Sequence, residues 1–246
     1  MNSAAHPTPQ LLRKGSLNDV QAVIPATCYE RSNTKAWLTL AQGAFLYIAP
    51  FTLLVRTTQW WAVLLLWLAV GLAIAGLFVL GHDASHGALF DSKRMNRFVA
   101  RSCMAPSAHV EAAWNLGHNR IHHGYTTREG FDFVWHPTTV EQFAQMSTPG
   151  RLRHRFEWSF LGSGAYYLRV VWWGKMWRFA AAGRHRSAIR RDKFTLGFAL
   201  ALTLAVPAIF GVMQDGLLGG IWLTTKLVVV PFLFFVHIIG WTVYIH

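Results

Sequence analysis

Residues 60–87 read WWAVLLLWLAVGLAIAGLFVLGHDASHG, an apolar run that passes directly into two histidines. Trp60 to Leu80 contains no charge, and as a helix this stretch would extend roughly 31 Å, close to the thickness of a bilayer hydrocarbon core. It predicts a transmembrane helix with His82 and His86 at its exit. Working outward, Ala36 to Val55 forms a second apolar run, separated from the first by a tight connection containing Arg56. The two predict a helical hairpin. Phe194 to Met213 and Ile221 to about Ile245 supply two more spans around a connection at Asp215, with Lys226 near one end and able to snorkel. The fold class expected is all-α and integral to a membrane: four transmembrane helices in two hairpins, with a histidine-rich cytoplasmic cap and interfacial helices.

Composition agrees with that class. The chain has 246 residues, is 53% hydrophobic, and contains 12 Trp and 17 Phe, more apolar than a soluble domain of this size usually is. Its formal net charge of +12 raises the question of nucleic acid, and the placement of that charge answers it. Four Lys or Arg precede residue 36, one sits in the first connection, 17 lie between residues 82 and 193, and none surrounds Asp215. This is the pattern of the positive-inside rule, so residues 1–35 and the long central segment are expected on the cytoplasmic side. No nucleic-acid module accompanies the charge, and none is expected as a partner. Residues 1–35 lack the apolar core of a secretory signal and read as a cytoplasmic N-terminal segment, with the membrane domain over residues 36–246. Within the central segment, WSFLGSGAYYLRVVWWGKMWRF (158–179) mixes Trp and Tyr with Arg169, Lys175 and Arg178, the composition of a helix lying in the headgroup layer; core helices of a cytosolic domain are the alternative.

Two cysteines, Cys28 and Cys103, form no CxxC, so any metal must be held by nitrogen and oxygen. The 12 histidines are unevenly placed. His82 and His86 stand i, i+4 and share one face if the helix continues past the membrane. HNRIHH (118–123) repeats that spacing with His118 and His122, and places His123 a further 100° round an α-helix. Three imidazoles so arranged do not readily converge on one ion, so His123 suits a second ion beside the first. Two such clusters 32 residues apart point to one shared metal site, with a dinuclear centre as the hypothesis. His6, His109, His136, His154 and His185 lack the spacing and are taken as surface or supporting residues; His237, inside the fourth span, is taken as a helix-packing hydrogen bond. Imidazole suits Zn, Cu, Fe and Ni alike. An HExxH zinc hydrolase needs a glutamate after the first histidine, whereas Asp83 and Asn119 stand there; a redox metal that binds oxygen fits better.

At these residues the chain resembles a known family. HDASH (82–86) followed by HNRIHH is similar to the first two histidine boxes, HxxxH and HxxHH-type, of the integral-membrane fatty acid desaturases. IPATCYERS (24–32), EAAWNLGHNRIHHGYTT (111–127) and FDFVWHP (131–137) resemble segments of the acyl-lipid omega-6 (Δ12) branch. The resemblance implies a non-haem di-iron enzyme that uses O2 to leave a cis double bond in an acyl chain, with electrons from a ferredoxin or cytochrome b5-type donor. It carries His82, His86, His118, His122 and His123 over as iron ligands, with His246 as a further candidate. Asp83, Trp114 and Asp132 are candidates to orient them, because a ligating histidine usually donates its other N–H to an acceptor; local capping or packing is the alternative for these three. The family has a third histidine box after the fourth span, and none occurs before His246, so the chain is expected to be incomplete at its C-terminus. A sister oxygenase such as a hydroxylase or ketolase, and a zinc-dependent membrane hydrolase, are the rival readings.

Overall fold

The structure is a computed structural model, and it describes residues 17–126, 128, 131–132, 138–180 and 183–245. All regular secondary structure among them is helical. After a short helix α1 (Leu17–Ala22), α2 (Asn33–Arg56) begins where Ser32 accepts a hydrogen bond from the Lys35 N–H at 3.3 Å, and α3 spans Trp60–Ser85. Helix α4 (Lys93–Met104) follows a turn, and α5 (Glu111–Trp114) continues without a break as a π-helix over Asn115–His122. Then come α6 (Val140–Gln145), α7 (Thr148–Glu157) and α8 (Ser163–Tyr166), the last again continuing as a π-helix, over Tyr167–Trp177. Helix α9 (Arg186–Thr224) leads through a π turn at Thr225–Val229 into α10 (Val230–Ile245).

Three helical stretches among the described residues are long and apolar enough to cross a membrane: Asn33–Arg56, Trp60–Ser85 and the 63 residues of Gly183–Ile245. A straight helix of that last length would run about 95 Å, and it is not straight. Asp215 (φ −132°, ψ 24°) and Gly216 (φ 66°, ψ −160°) leave helical geometry, the second in the left-handed region that glycine enters without steric cost. Across this break Gly211 meets Gly219 so closely that a Cβ on Gly211 would stand 2.3 Å from the Gly219 carbonyl oxygen. The limbs before and after Gly216 therefore lie against each other.

The core is built on one face of α3. Val63, Val70, Gly71, Ile74, Leu77, Phe78, Gly81 and Ala84 are buried at helical spacing, while Leu64, Leu65, Leu68 and Leu72 remain exposed. An apolar helix buried on one side and exposed on the other is what a lipid-facing span requires. Gly71 is the crossing point with α10: an added Cβ would lie 2.5 Å from the Phe234 Cβ and 3.3 Å from the Pro231 carbonyl oxygen. Gly81 admits Met104 of α4 in the same way. The segment read as interfacial falls in α8 and its π continuation and is not among the helices long enough to cross; it packs through Gly164 against Gly240 of α10. Lys226 does not snorkel. It is buried, and its ammonium donates to the Thr57 carbonyl at 2.6 Å while its own carbonyl accepts from Trp67 Nε1 at 2.8 Å. The Thr57 carbonyl lies just past the end of α2, where backbone oxygens lack helical partners, and that explains why the cation turns inward at the end of α3 opposite the histidines.

Candidate metal centre

Helix α3 carries His82 and His86 past its apolar run, their rings 4.6 Å apart. The His82 Nδ1 lies 2.9 Å from Asp83 Oδ1. A carboxylate only accepts, so Nδ1 carries the proton and the Nε2 lone pair is left to face inward. His82 Nε2 stands 3.1 Å from His118 Nε2, which is in turn 3.2 Å from His123 Nε2. One ligand atom from each of His82, His86, His118 and His123 falls within 4.8 Å of all the others.

This grouping differs from the one an α-helix gives. The α register places His118 beside His122 and turns His123 away, but Asn115–His122 is a π-helix, with the His123 N–H bonded to the His118 carbonyl at 3.1 Å. Hydrogen bonding from i to i+5 sets residues five apart on successive turns, so His123 joins His118. His122 is outside the group of four. It is 5% exposed and its Nδ1–H donates to Asp132 Oδ1 at 2.7 Å, with its ring 5.1 Å from that of His118. Trp114 stacks on His118 with ring centroids 4.1 Å apart and meets His82 edge-on at 5.2 Å. Asn115 and Asn119 both donate to the Ser85 carbonyl, at 3.2 and 3.1 Å, which fastens the π-helix to the end of α3. Nothing in the local sequence pairs Ser85 with residues 30 and 34 positions away, and the sequence reading missed it.

The electrostatics favour neutral imidazoles. His118 is held well below the ordinary histidine range, first by burial and then by His82, His123, His122 and His86 around it. His86 and His123 are lowered for the same reasons, burial first and neighbouring histidines second. Neutral rings present lone pairs, and several lone pairs converging within hydrogen-bond distance invite a proton or a cation between them. The donor set fits a transition-metal ion: it is all imidazole, one ring is oriented by a carboxylate, and two members are exposed.

The other histidines fall elsewhere. His109 is no surface residue: it is 2% exposed, and its ring lies 4.7 Å from Phe78 and 5.8 Å from Phe235. Its Nδ1 donates to the Ser107 carbonyl at 2.9 Å, so Nε2 accepts from the Tyr167 hydroxyl at 2.7 Å. Ala108 before it has φ 54°, a strained conformation for a residue with a Cβ, and its carbonyl accepts from the indoles of Trp172 and Trp177 at 3.1 and 3.2 Å. The His237 side chain makes no hydrogen bond among the described residues, unlike the packing bond expected of it; its ring meets Phe160 edge-on at 5.0 Å. His154 and His185 are half-buried; the first packs its ring against Phe143 and Trp158, and the second accepts from Arg184 Nε at 3.3 Å. His6, His136 and His246 lie outside the described residues. A hollow of about 320 Å³ lies between the limbs flanking Gly216; its lining, Ala208, Val212 and Ile221 among others, is apolar and includes no histidine.

Comparison with known proteins places the chain in a family. The chain is 28% identical over 211 residues to a protein named omega-6 fatty acid desaturase, chloroplastic, from Glycine max, covering 85% of this chain and 48% of that protein. It is 27% identical over 222 residues to the sn-1 oleoyl-lipid 12-desaturase of Synechocystis sp., covering 88% and 59%. The sn-1 acyl-lipid omega-3 desaturase (ferredoxin) of the same organism matches at 27% over 132 residues, covering 54% and 36%. The chain spans about half the length of the curated relatives it matches. Residues 58–246, which take in the helix bearing His82 and His86 and the π-helix bearing His118, match the fatty acid desaturase family as a whole, and the chain belongs to that family.

Proposed function

We propose that this chain forms the main membrane part of an acyl-chain desaturase that introduces a cis double bond, with a di-iron centre, O2 as co-substrate and electrons from a ferredoxin or cytochrome b5-type donor. The observation that carries this reading is the group of four imidazoles within 4.8 Å at the exit of an uncharged apolar helix. Breaking an unactivated C–H bond is beyond side-chain acid–base chemistry, and bound iron supplies the oxygen activation that does it. The protein's share is placement. His82, His86, His118, His122 and His123 hold the ions, with His246 as a further candidate ligand. Asp83 and Asp132 keep the Nδ1 protons of His82 and His122 in place, so that Nε2 is the ligating atom in both. Trp114 covers His118 with an apolar plane, which restricts water on that side. The names of the relatives support an acyl-lipid substrate, and one of them names ferredoxin.

The same reading gives four spans in two hairpins, with turns at Arg56–Gln59 and Asp215–Gly216, residues 1–35 as an N-terminal segment, and residues 36–246 as membrane domain. The excess of Lys and Arg between residues 82 and 193 puts that segment, the histidines and the N-terminus on the cytoplasmic side, with the stretch 158–179 in the headgroup layer. Cys28 is exposed, and an impermeant maleimide should label it in inside-out vesicles and leave it untouched in right-side-out ones. For the activity, the complete protein expressed in a desaturase-deficient host should yield new dienoic acyl chains, lost on His122→Ala. A hydroxylated or ketone product would assign the chain to a sister oxygenase, and purified protein holding zinc without iron, with unaltered lipids, would sink the desaturase reading.

A further inference from the structure

The helix that bears His118 and His123 starts without a cap of its own. Helix α5 follows Val110, whose side chain makes no capping hydrogen bond, although the first N–H groups of a helix have no partner inside it. The N–H groups of Ala113 and Trp114 turn back to the Val110 carbonyl at 3.0 and 2.9 Å. That of Ala112 reaches across the fold to Asp192 Oδ2 on α9, at 3.1 Å and 80 residues away. Asp192 is 8% exposed, and its Oδ1 is held by Arg101 Nη2 of α4 at 3.0 Å, while Arg101 Nε faces Glu111 Oε2 at 3.4 Å. Three helices thus meet at one guanidinium between two carboxylates, and both carboxylates stand at the positive end of the α5 dipole. From that point the helix runs on unbroken through Trp114, which stacks on His118, to His122.

We propose that Asp192 is a positioning residue for the metal centre: it caps α5 in trans and, through that helix, fixes where His118 and His123 stand relative to His82 and His86. The proposal rests on reading the four histidines as metal ligands. Its physical basis is the narrow tolerance of metal–imidazole distances, a few tenths of an ångström, set against a helix start that is anchored to α9 by a side chain and not by its own sequence. A first turn that frays lets Trp114 and His118 shift together, and a shift of that size is enough to weaken a site whose ligands come from two helices.

The test uses the chain in detergent, as wild type, Asp192→Ala and Asp192→Asn, with two readouts that need no turnover. Hydrogen–deuterium exchange on metal-free protein reports the amides of residues 111–118, and cobalt(II) titration by visible absorption reports the affinity and ligand field of the site. Asp192→Ala should speed exchange of those amides about tenfold or more and weaken cobalt binding by about 10- to 100-fold, the usual effect of removing a group that orients ligands. Asp192→Asn keeps an acceptor for the Ala112 N–H and should stay within about threefold of wild type, a recovery that the loss of the ion pair alone would not permit. If Asp192→Ala does not fold, the same change in a Val110→Thr background, which supplies a local hydroxyl cap, should fold and bind; failure of that rescue overturns the proposal. Cobalt affinity unchanged by Asp192→Ala overturns it as well, whether or not exchange rises. A wild-type chain that takes up no cobalt while residues 111–118 are well protected sinks the metal reading itself, and is distinguished from the other outcomes by that protection.

Discussion

Replacing His109 with Gln should flatten the acid side of the stability profile, and the size of the effect follows from its surroundings. His109 is enclosed by Phe78 and Phe235 and bonded on both nitrogens, donating to Ser107 and accepting from Tyr167. Protonating Nε2 would leave that nitrogen carrying a hydrogen toward a hydroxyl that already points its own hydrogen there. Burial pushes the His109 pKa down to about 4, with the hydrogen bond to Ser107 opposing. The folded value lies below the unfolded one, so below pH 6.5 the unfolded chain takes up a proton that the native chain refuses. The contribution is nil above pH 6.5, becomes unfavourable as pH falls toward 4, and is constant below that. A gap of 2.5 between 6.5 and about 4, at 1.36 kcal/mol for each, is worth about 3 kcal/mol. Gln can accept from Tyr167 but cannot titrate. At pH 7.5 it should be less stable than wild type by about 1–2 kcal/mol through imperfect packing, and by pH 4.5 that deficit should vanish or reverse. Denaturant titrations followed by tryptophan fluorescence, with a chelator present, measure the difference; every other titratable group is the same in both proteins and cancels. Parallel profiles from pH 7.5 to 4.5 would refute the reasoning.

Three further outcomes follow from the geometry. His118→Ala removes the ring that touches both His82 and His123, and cobalt uptake by the group should fall below detection in an absorption titration, while the melting temperature in chelator should drop less at pH 5 than at pH 7.5, because below pH 6.5 the variant no longer carries a ring that burial and its neighbours keep from taking up a proton. Asp132→Ala removes the acceptor of the His122 Nδ1–H and should weaken metal retention by about 10- to 100-fold, with Asp132→Asn recovering most of it, as read by metal content after dialysis. Gly71→Val forces α3 away from α10, where an added Cβ already stands 2.5 Å from Phe234; thermal unfolding should show a loss of about 1–3 kcal/mol or more, and Gly76→Val, which meets nothing within 4 Å, should cost less than 1 kcal/mol by about the margin of ordinary propensity differences.

The apolar helices were legible because length and hydropathy are local properties: the run Trp60–Leu80 lies inside α3, and the break expected around Asp215 falls at Asp215 and Gly216. Residues 33–35, read as part of the N-terminal segment, already belong to α2 because Ser32 caps it. What escaped the sequence was set by partners far along the chain. His109 was legible only as a surface or supporting residue because its partner Tyr167 is 58 positions away, and Lys226 looked like a snorkelling cation because Thr57 is 169 positions away. The histidines of the second cluster stood out by type, but their facing was hidden, since spacing alone does not say whether a helix bonds i to i+4 or i to i+5.

That register has a consequence for how the second cluster can vary in length. HNRIHH holds one residue more between His118 and the final pair than an HxxHH spacing does. A π turn is an α turn with one residue added, so the additional residue is absorbed as a widening of the helix between Asn115 and His122 instead of rotating His123 out of reach of His118. Shortening the stretch by one exposed position, Arg120, would let the helix relax to α while leaving the last histidine four residues from the first and still beside it. The helix acts here as a length buffer, and insertion or deletion of a single residue, which in an ordinary α-helix would turn every later side chain to a new face, is confined to the turn where it occurs.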